Sequence, residues 1–195
     1  MSQRTRMNPA QRKALILDTA RSAFATHSYQ NVSVAAVAET AGVSVALVHK
    51  YFDSKSGLFA AVLEQHFQQL RELQRHAVTG KASTRERVVA LVEAQLDYVV
   101  KLQRPHETQH VLFGHDDARA SEVRRLDEHG FAQTLRDIVR PNDSARDFYA
   151  VAAFHGILQA ATRTWVQRGC PEEEKWPIIE AVVGGLEGSL GDWNR

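Results

Sequence analysis

Apolar positions between residues 32 and 58 repeat with helical spacing, interrupted twice by turn residues. Val34, Val37, Ala38 and Ala41 form an i, i+3, i+4, i+7 stripe, the mark of a short helix with one buried face. Ser33 stands just before it, where a hydroxyl can accept from the free N–H groups of a first turn. Gly42 follows, at the point where the chain must leave the helix with positive φ, which costs glycine no Cβ clash. Ser44 caps a second helix through Phe52, and Asp53 and Ser54 break and re-cap the chain before Lys55. Two short helices about a turn containing glycine read as a helix-turn-helix.

The same period continues on either side. Asn8 and Pro9 open a helix that runs to about Thr26 with Ile16, Ala20 and Phe24 on one face, and Tyr29 and Val32 close over a three-helix core. From Ser54 a longer helix reaches about Ala77, with Phe59, Val62, Leu63, Phe67 and Leu70 inward. Residues 79–83 (TGKAS) form a loop. A capped helix then carries Val88, Leu91, Val92, Leu96 and Val99 towards Arg104 and Pro105, and residues 105–118 are less regular. A helix from about Ala120 to Val139 stops at Pro141. Ser144 opens the longest apolar helix, with Phe148, Val151, Ala152, His155, Leu158, Thr162 and Trp165 on one side. It ends at Gly169 to Pro171. The last helix starts around Trp176 and holds Ile178, Ile179, Val182, Val183, Leu186 and Leu190. Nothing alternates as a strand does and no fixed repeat is visible. The expected fold is all-α with about nine helices, a three-helix head followed by a helical bundle. The expected division is 1–55 and 56–195, with 56–78 as a connecting helix.

With 195 residues, 44% hydrophobic and 24% charged, the chain has the balance of one or two globular domains, not of a disordered protein. No run of 18 apolar residues exists and the N-terminus lacks the apolar centre of a signal peptide. The single cysteine, Cys170, cannot form an intramolecular disulfide, which fits a reducing cytoplasm. Charge is uneven: residues 1–60 carry seven Lys/Arg against three acids, and the rest 17 against 20. A basic head on a mildly acidic body suits phosphate contact at one end.

The run VAETAGVS at residues 37–44, followed by HKYFDSK at residues 49–55, resembles the DNA-binding signature of the tetracycline-repressor (TetR) family, over about the first third of the chain. The resemblance implies that the second helix of the unit enters the major groove. Ser33, Ser44, Val45, Ala46, His49, Lys50, Tyr51 and Lys55 are then the candidate DNA contacts. Val45, Ala46 and Leu47 replace the Lys, Gly and Thr common in the family, so readout leans on thymine methyl groups. His49 stands where Tyr is usual, and Ser28 where Gly is usual before the aromatic residue.

The resemblance further implies a dimer through the last two helices, with Trp165, Ile179, Val182, Val183, Leu186 and Leu190 as interface candidates and Trp176 and Trp193 as further anchors. Between the middle helices a ligand pocket is expected. Its candidate residues are Tyr98, His110, Phe113, Phe131, Leu135, Phe154, His155, Leu158 and Thr162. Few of these carry charge, so the expected effector is uncharged and fairly apolar. The function implied is a cytoplasmic one-component regulator, a repressor, that binds a palindromic operator and is released by a small molecule. The alternative is a DNA-binding protein of the same fold that answers to a protein partner or to no ligand. A more distant alternative, a metal-dependent helical enzyme, rests on His106, His110, His115, Asp116 and Asp117, which fit a solvated loop much better. No phosphate loop, nucleophile elbow or paired Glu-x-x-His supports catalysis. No cofactor, metal or membrane partner is expected.

Overall fold

A computed structural model describes residues 7–102, 117–142 and 144–191 of the chain. His106, His110, Phe113, His115, Asp116 and Trp193 lie outside the described residues. The described part holds eight α-helices: α1 Pro9–Thr26, α2 Val34–Thr40, α3 Val45–Phe52, α4 Lys55–Val78, α5 Thr84–Lys101, α6 Ala118–Val139, α7 Ala145–Gln167 and α8 Lys175–Leu190. Short 3-10 turns at Tyr29–Asn31 and Glu172–Glu174 accompany them.

The helix starts follow from side-chain capping. The Ser33, Ser44, Ser54 and Ser144 hydroxyls each accept from a backbone N–H of the following turn. Asn8 with Gln11, and Ser83 with Glu86, complete reciprocal capping boxes. Gly42 takes φ +65° between α2 and α3, as the stop signal requires. At the end of α1, His27 is extended (φ −133°, ψ 147°), so the chain leaves the helix without a left-handed residue and needs no glycine at Ser28.

Two apolar cores result. The first gathers Ile16, Phe24, Val37, Val48 and Phe52 from α1–α3 with Leu58, Phe59, Val62 and Leu63 from the first half of α4. Phe59 is its hub, with ring centroids 4.9 Å from Phe24 and 5.1 Å from Tyr29. The second gathers Leu91 and Leu96 of α5, Phe131 and Leu135 of α6, Phe154, Leu158 and Trp165 of α7, and Ile179, Val183 and Leu186 of α8. Helix α4 packs on α1 and α3 and also on α5 and α6, so one continuous helix touches both cores.

The second core takes up the residues expected at the dimer interface. Trp165, Ile179, Val182, Val183 and Leu186 are 0–2% exposed within their own chain, and Leu190 is half-buried against the same cluster. The Trp165 indole N–H donates to the Pro171 carbonyl at 2.9 Å, tying α7 to the α8 approach. These residues were the most apolar of their helices, and the chain uses them for itself. What α7 and α8 leave uncovered is a different face: Tyr149, Ala153, Gly156, Ile157 and Ala160 on one, Pro177, Ala181, Gly184 and Gly188 on the other. Trp176 is 51% exposed. Phe148 also turns outward, because Asp147 takes the inward position of the first turn of α7 and accepts from the Asn142 N–H at 2.8 Å.

The α3–α4 junction is tightly packed. Asp53 ends α3 with φ +68°, and a Cβ placed on Gly57 would lie 2.0 Å from the Phe52 carbonyl oxygen. Gly57→Ala is therefore expected to cost about 1–3 kcal/mol of stability by urea unfolding. Gly130→Ala, whose Cβ would meet Arg71 at an ordinary 3.5 Å, is the control and should be neutral or slightly stabilising. Equal midpoints for the two variants would contradict this reading of the junction.

Candidate nucleic-acid interface and inner cavity

Helix α3 packs on α2 and α4, buries Val48 and Phe52 in the first core and keeps the opposite side clear. Ser33, Ser44, Val45, Ala46, His49 and Lys50 are all exposed there. The Ser33 and Ser44 hydroxyls are already bonded to the Ala36 and Leu47 N–H groups at 3.0 and 3.2 Å, so their first task is capping. His49 Nδ1 lies 2.9 Å from the Asp53 carbonyl oxygen. A carbonyl only accepts, so Nδ1 carries the proton and the neutral ring offers an acceptor at Nε2. Donation from Nε2 to a phosphate needs the imidazolium.

Tyr51 and Lys55 are half-covered, because each also braces the head. The Tyr51 hydroxyl donates to the Pro9 carbonyl at 3.2 Å and fixes α3 to the start of α1. The Lys55 ammonium donates to the Gln30 carbonyl at 3.2 Å and sits 4.5 Å over the Tyr29 ring. Burial lowers its pKa. Beside them Arg119, in the first turn of α6, pairs with Asp53 at 2.6 Å and reaches the Ser54 hydroxyl at 3.4 Å. The head thus holds an exposed α3 face, fixed at both ends by contacts made outside it.

Below the head, α4, α5, α6 and α7 surround a cavity of about 240 Å³. Of the candidate ligand residues, Tyr98, His155 and Thr162 line it. Phe131, Leu135, Phe154 and Leu158 do not: they are 0–4% exposed and belong to the second core. Their neighbours on the helical wheel face the space instead. Phe67, Leu70 and Val99 give it an apolar side, and Gln95, Arg124, Asp127, Glu128, Gln159 and Arg163 a polar one. Charged groups thus line a cavity for which the sequence suggested an uncharged, fairly apolar effector. One signal for this was available in the sequence. Gln95 and Asp127 sit four residues from Leu91 and Phe131, in register with apolar stripes, and polar groups at such positions need partners.

The partners are present. Arg71 pairs with Asp127, which is 5% exposed. The Gln95 amide donates to the Thr162 hydroxyl at 3.2 Å, and that hydroxyl donates to the Leu158 carbonyl at 2.8 Å. The Tyr98 phenol oxygen lies 2.6 Å from His66 Nδ1. Burial pushes Asp127 up to about 6 against the opposing pull of Arg71. It also pushes His66 down to about 4 and Tyr98 up to about 12, and lowers His155. The His155 ring lies 4.9 Å from Phe131, between core and cavity.

Other candidate chemistry finds no site among the described residues. No group of three or more His, Cys, Asp or Glu there could hold a metal ion. Asp117 caps α6 by accepting from the Ala120 N–H at 2.8 Å. Cys170 has φ +55° at the end of the α7 turn, and burial raises its pKa, which disfavours the reactive thiolate. No described helix is long and apolar enough to cross a membrane.

A helix-turn-helix with an exposed second helix, carried on a separate helical bundle, defines a transcriptional regulator. Residues 16–62 match the family model for bacterial regulatory proteins of the tetR family. The HTH-type transcriptional regulator BetI of Agrobacterium fabrum is 34% identical over 164 residues, 75% of this chain and 74% of that protein. The chain belongs to the TetR family, whose members are DNA-binding regulators and not enzymes. The fold is shared along nearly its whole length with a chain of Pseudomonas aeruginosa PAO1 assigned as a transcriptional regulator, at TM-score 0.79 and 22% identity over 98% of this chain and 97% of that one. It is also shared with FadR of Bacillus subtilis in complex with stearoyl-CoA, at TM-score 0.70 and 16% identity over 91% and 97%.

Two of the buried ionisable groups, His66 and Asp127, act on stability in opposite directions. His66 falls from 6.5 to about 4 on folding, so the unfolded chain takes the proton first. Its contribution is complete above pH 6.5 and is lost as pH falls towards 4. Asp127 rises from 3.8 to about 6, so its contribution is complete below pH 3.8 and is lost as pH rises through 6. Between pH 6.5 and 4, His66→Gln should therefore lose less stability than the parent, and Asp127→Asn more, each by about 1–3 kcal/mol in urea titrations. Parallel pH profiles for all three proteins would refute the assignment.

Proposed function

We propose that this protein is a cytoplasmic, dimeric one-component repressor that binds a palindromic operator through paired α3 helices and is released by a small polar molecule in the inner cavity. The observation that carries the DNA reading is the exposed α3 face, with Val45, Ala46, His49 and Lys50 together beyond the Gly42 turn. Val45 and Ala46 suit thymine methyl groups, and Lys50 suits a phosphate. Ser33, Ser44, Tyr51 and Lys55 hold the reader in place and present their polar groups to the flanking backbone. In this reading residues 1–55 are the DNA-binding head. Residues 56–195 are the effector-binding and dimerisation body, and 56–78 is its connecting helix.

Half-sites lie about 34–36 Å apart, so two heads on a fixed spacing are needed. The small-residue face of α7 and α8, with Ala153, Gly156, Ala181, Gly184 and Gly188, lets a second copy approach closely. Exposed Ile157 and Trp176 supply apolar area to bury. For the effector, 240 Å³ lies below the roughly 300–1,000 Å³ of drug-sized sites. An effector of that size is far smaller than the stearoyl-CoA held by FadR of Bacillus subtilis. The amide, hydroxyl and charged groups of the wall favour one rich in hydrogen bonds.

Selection from a random DNA library is expected to yield an inverted repeat whose retention weakens with salt. Lys50→Ala should weaken binding to all sequences alike and reduce the salt slope by about one. Recovery of no common sequence would contradict the reading. The dimer has its own test. A Cβ on Gly184 meets nothing within 4 Å inside one chain, so Gly184→Arg should fold normally. It should nonetheless sediment as a monomer and lose operator binding. A Gly184→Arg protein that still sediments as a dimer would exclude this face.

A further inference from the structure

His49 is an exposed side chain of α3 whose hydrogen-bonding sense the fold already determines. Its Nδ1 lies 2.9 Å from the Asp53 carbonyl oxygen, which can only accept. Nδ1 therefore holds the proton of the neutral ring, and Nε2 is left as an acceptor. Asp53 is itself held through its other groups. Its N–H donates to the His49 carbonyl at 2.7 Å, and its carboxylate pairs with the Arg119 guanidinium at 2.6 Å. Asp53 takes φ +68°, where glycine is favoured, and the carboxylate that glycine would lack is the group Arg119 grips. Arg119 belongs to the first turn of α6, and its neighbour Ala120 is fully buried in the first core, so the grip has a fixed base. Gly57 leaves room for the guanidinium, since a Cβ there would lie 2.5 Å from Arg119 Nη1. Polar contacts thus run without a break from α6 through Asp53 to a side chain on the exposed face of α3.

We infer that neutral His49 reads a base in the major groove by accepting from an exocyclic amino group, adenine N6 or cytosine N4, and that Arg119 is the positioning residue that keeps the ring in that form. The inference rests on the operator reading above and names one of its base-specific contacts. Phosphate oxygens are acceptors and offer Nε2 nothing. On the major-groove edges the donors are the amino groups of adenine and cytosine, while guanine N7 and O6 and thymine O4 only accept. Val45, four residues before His49 on the same side of α3, is exposed and suits a thymine methyl, so both contacts fall on one stretch of groove. The Arg119–Asp53 pair is itself exposed and adds little to stability. What it fixes is the side of the ring that carries the proton. Without Arg119, Asp53 can relax from its strained φ, and its carbonyl then leaves Nδ1. The freed ring takes either tautomer, and its Nε2–H form donates to phosphate or to guanine instead, so the preference is blurred.

Imidazole-ring NMR and DNA selection, both on the full-length protein, test this. Long-range proton–nitrogen spectra in mildly alkaline buffer, assigned by the signals lost in His49→Leu, should show His49 in the Nδ1–H form. Arg119→Ala should show a mixture of tautomers. In selection, the parental half-site should carry adenine or cytosine at one position to which His49→Leu is indifferent, with the other positions kept. Changing that base pair should cost the parent about tenfold in affinity and His49→Leu nothing. The salt slopes of the two proteins should agree, because no phosphate contact is lost. An Nε2–H ring in the parent would overturn the inference, and so would a His49→Leu protein that keeps every base preference, whatever its salt slope. A parental tautomer in Arg119→Ala would overturn the role of Arg119. A parent that selects no sequence would fell the operator reading and the base contact together, while the spectra still decide whether Arg119 and Asp53 hold the ring.

Discussion

Helix α4 is held by two cores at once, and the arrangement of the whole chain depends on that. Leu58, Phe59, Val62 and Leu63 fix its first half in the head, while its second half lies against α5 and α6. At about 1.5 Å per residue, its 24 residues form a stiff rod that cannot bend at one end without disturbing the other. Apolar side chains in close-packed cores resist partial shifts, so on the proposed function a displacement of the body would be carried to the head. The tight junction at Asp53 and Gly57, where α3 leaves this rod, sets the angle at which the exposed α3 face is presented.

The cavity beside that rod owes its character to polar groups buried beyond the reach of bulk water. Such groups are tolerated where they find partners. Asp127 with Arg71, Gln95 with Thr162, and Tyr98 with His66 meet this condition pairwise. Each pair joins two different helices, so the network holds α4, α5, α6 and α7 in register and also lines the space. On the proposed function, a ligand that took one member of a pair would change the packing of the other.

The head was legible in the sequence because local signals there agree. Ser33 and Ser44 cap, Gly42 turns with positive φ, and Val37, Ala38 and Val48 point inward as their spacing requires. The body was legible as helices but not as surfaces. Periodicity shows that Phe154, Leu158, Val182 and Leu186 are inward, yet it cannot show whether inward means a core, a cavity or a partner chain. The apolar residues went to the core. The cavity fell to their polar neighbours, and the face left open on α7 and α8 is marked by alanine and glycine, whose apolar signal is small. Tyr51 and Lys55 likewise read as surface contacts because their bonds to Pro9 and Gln30 span 42 and 25 residues, beyond any local pattern.

The central claim is that two heads are carried at a spacing set by the body. Spin labels at Ala35→Cys on the exposed side of α2, with Cys170→Ser, would report the distance between the heads by electron double resonance. The account expects a strong dipolar signal from the free dimer and a single, narrower distance once operator is bound, in keeping with half-sites about 34–36 Å apart. Absence of dipolar coupling, or one unchanged distribution with and without operator, would contradict it.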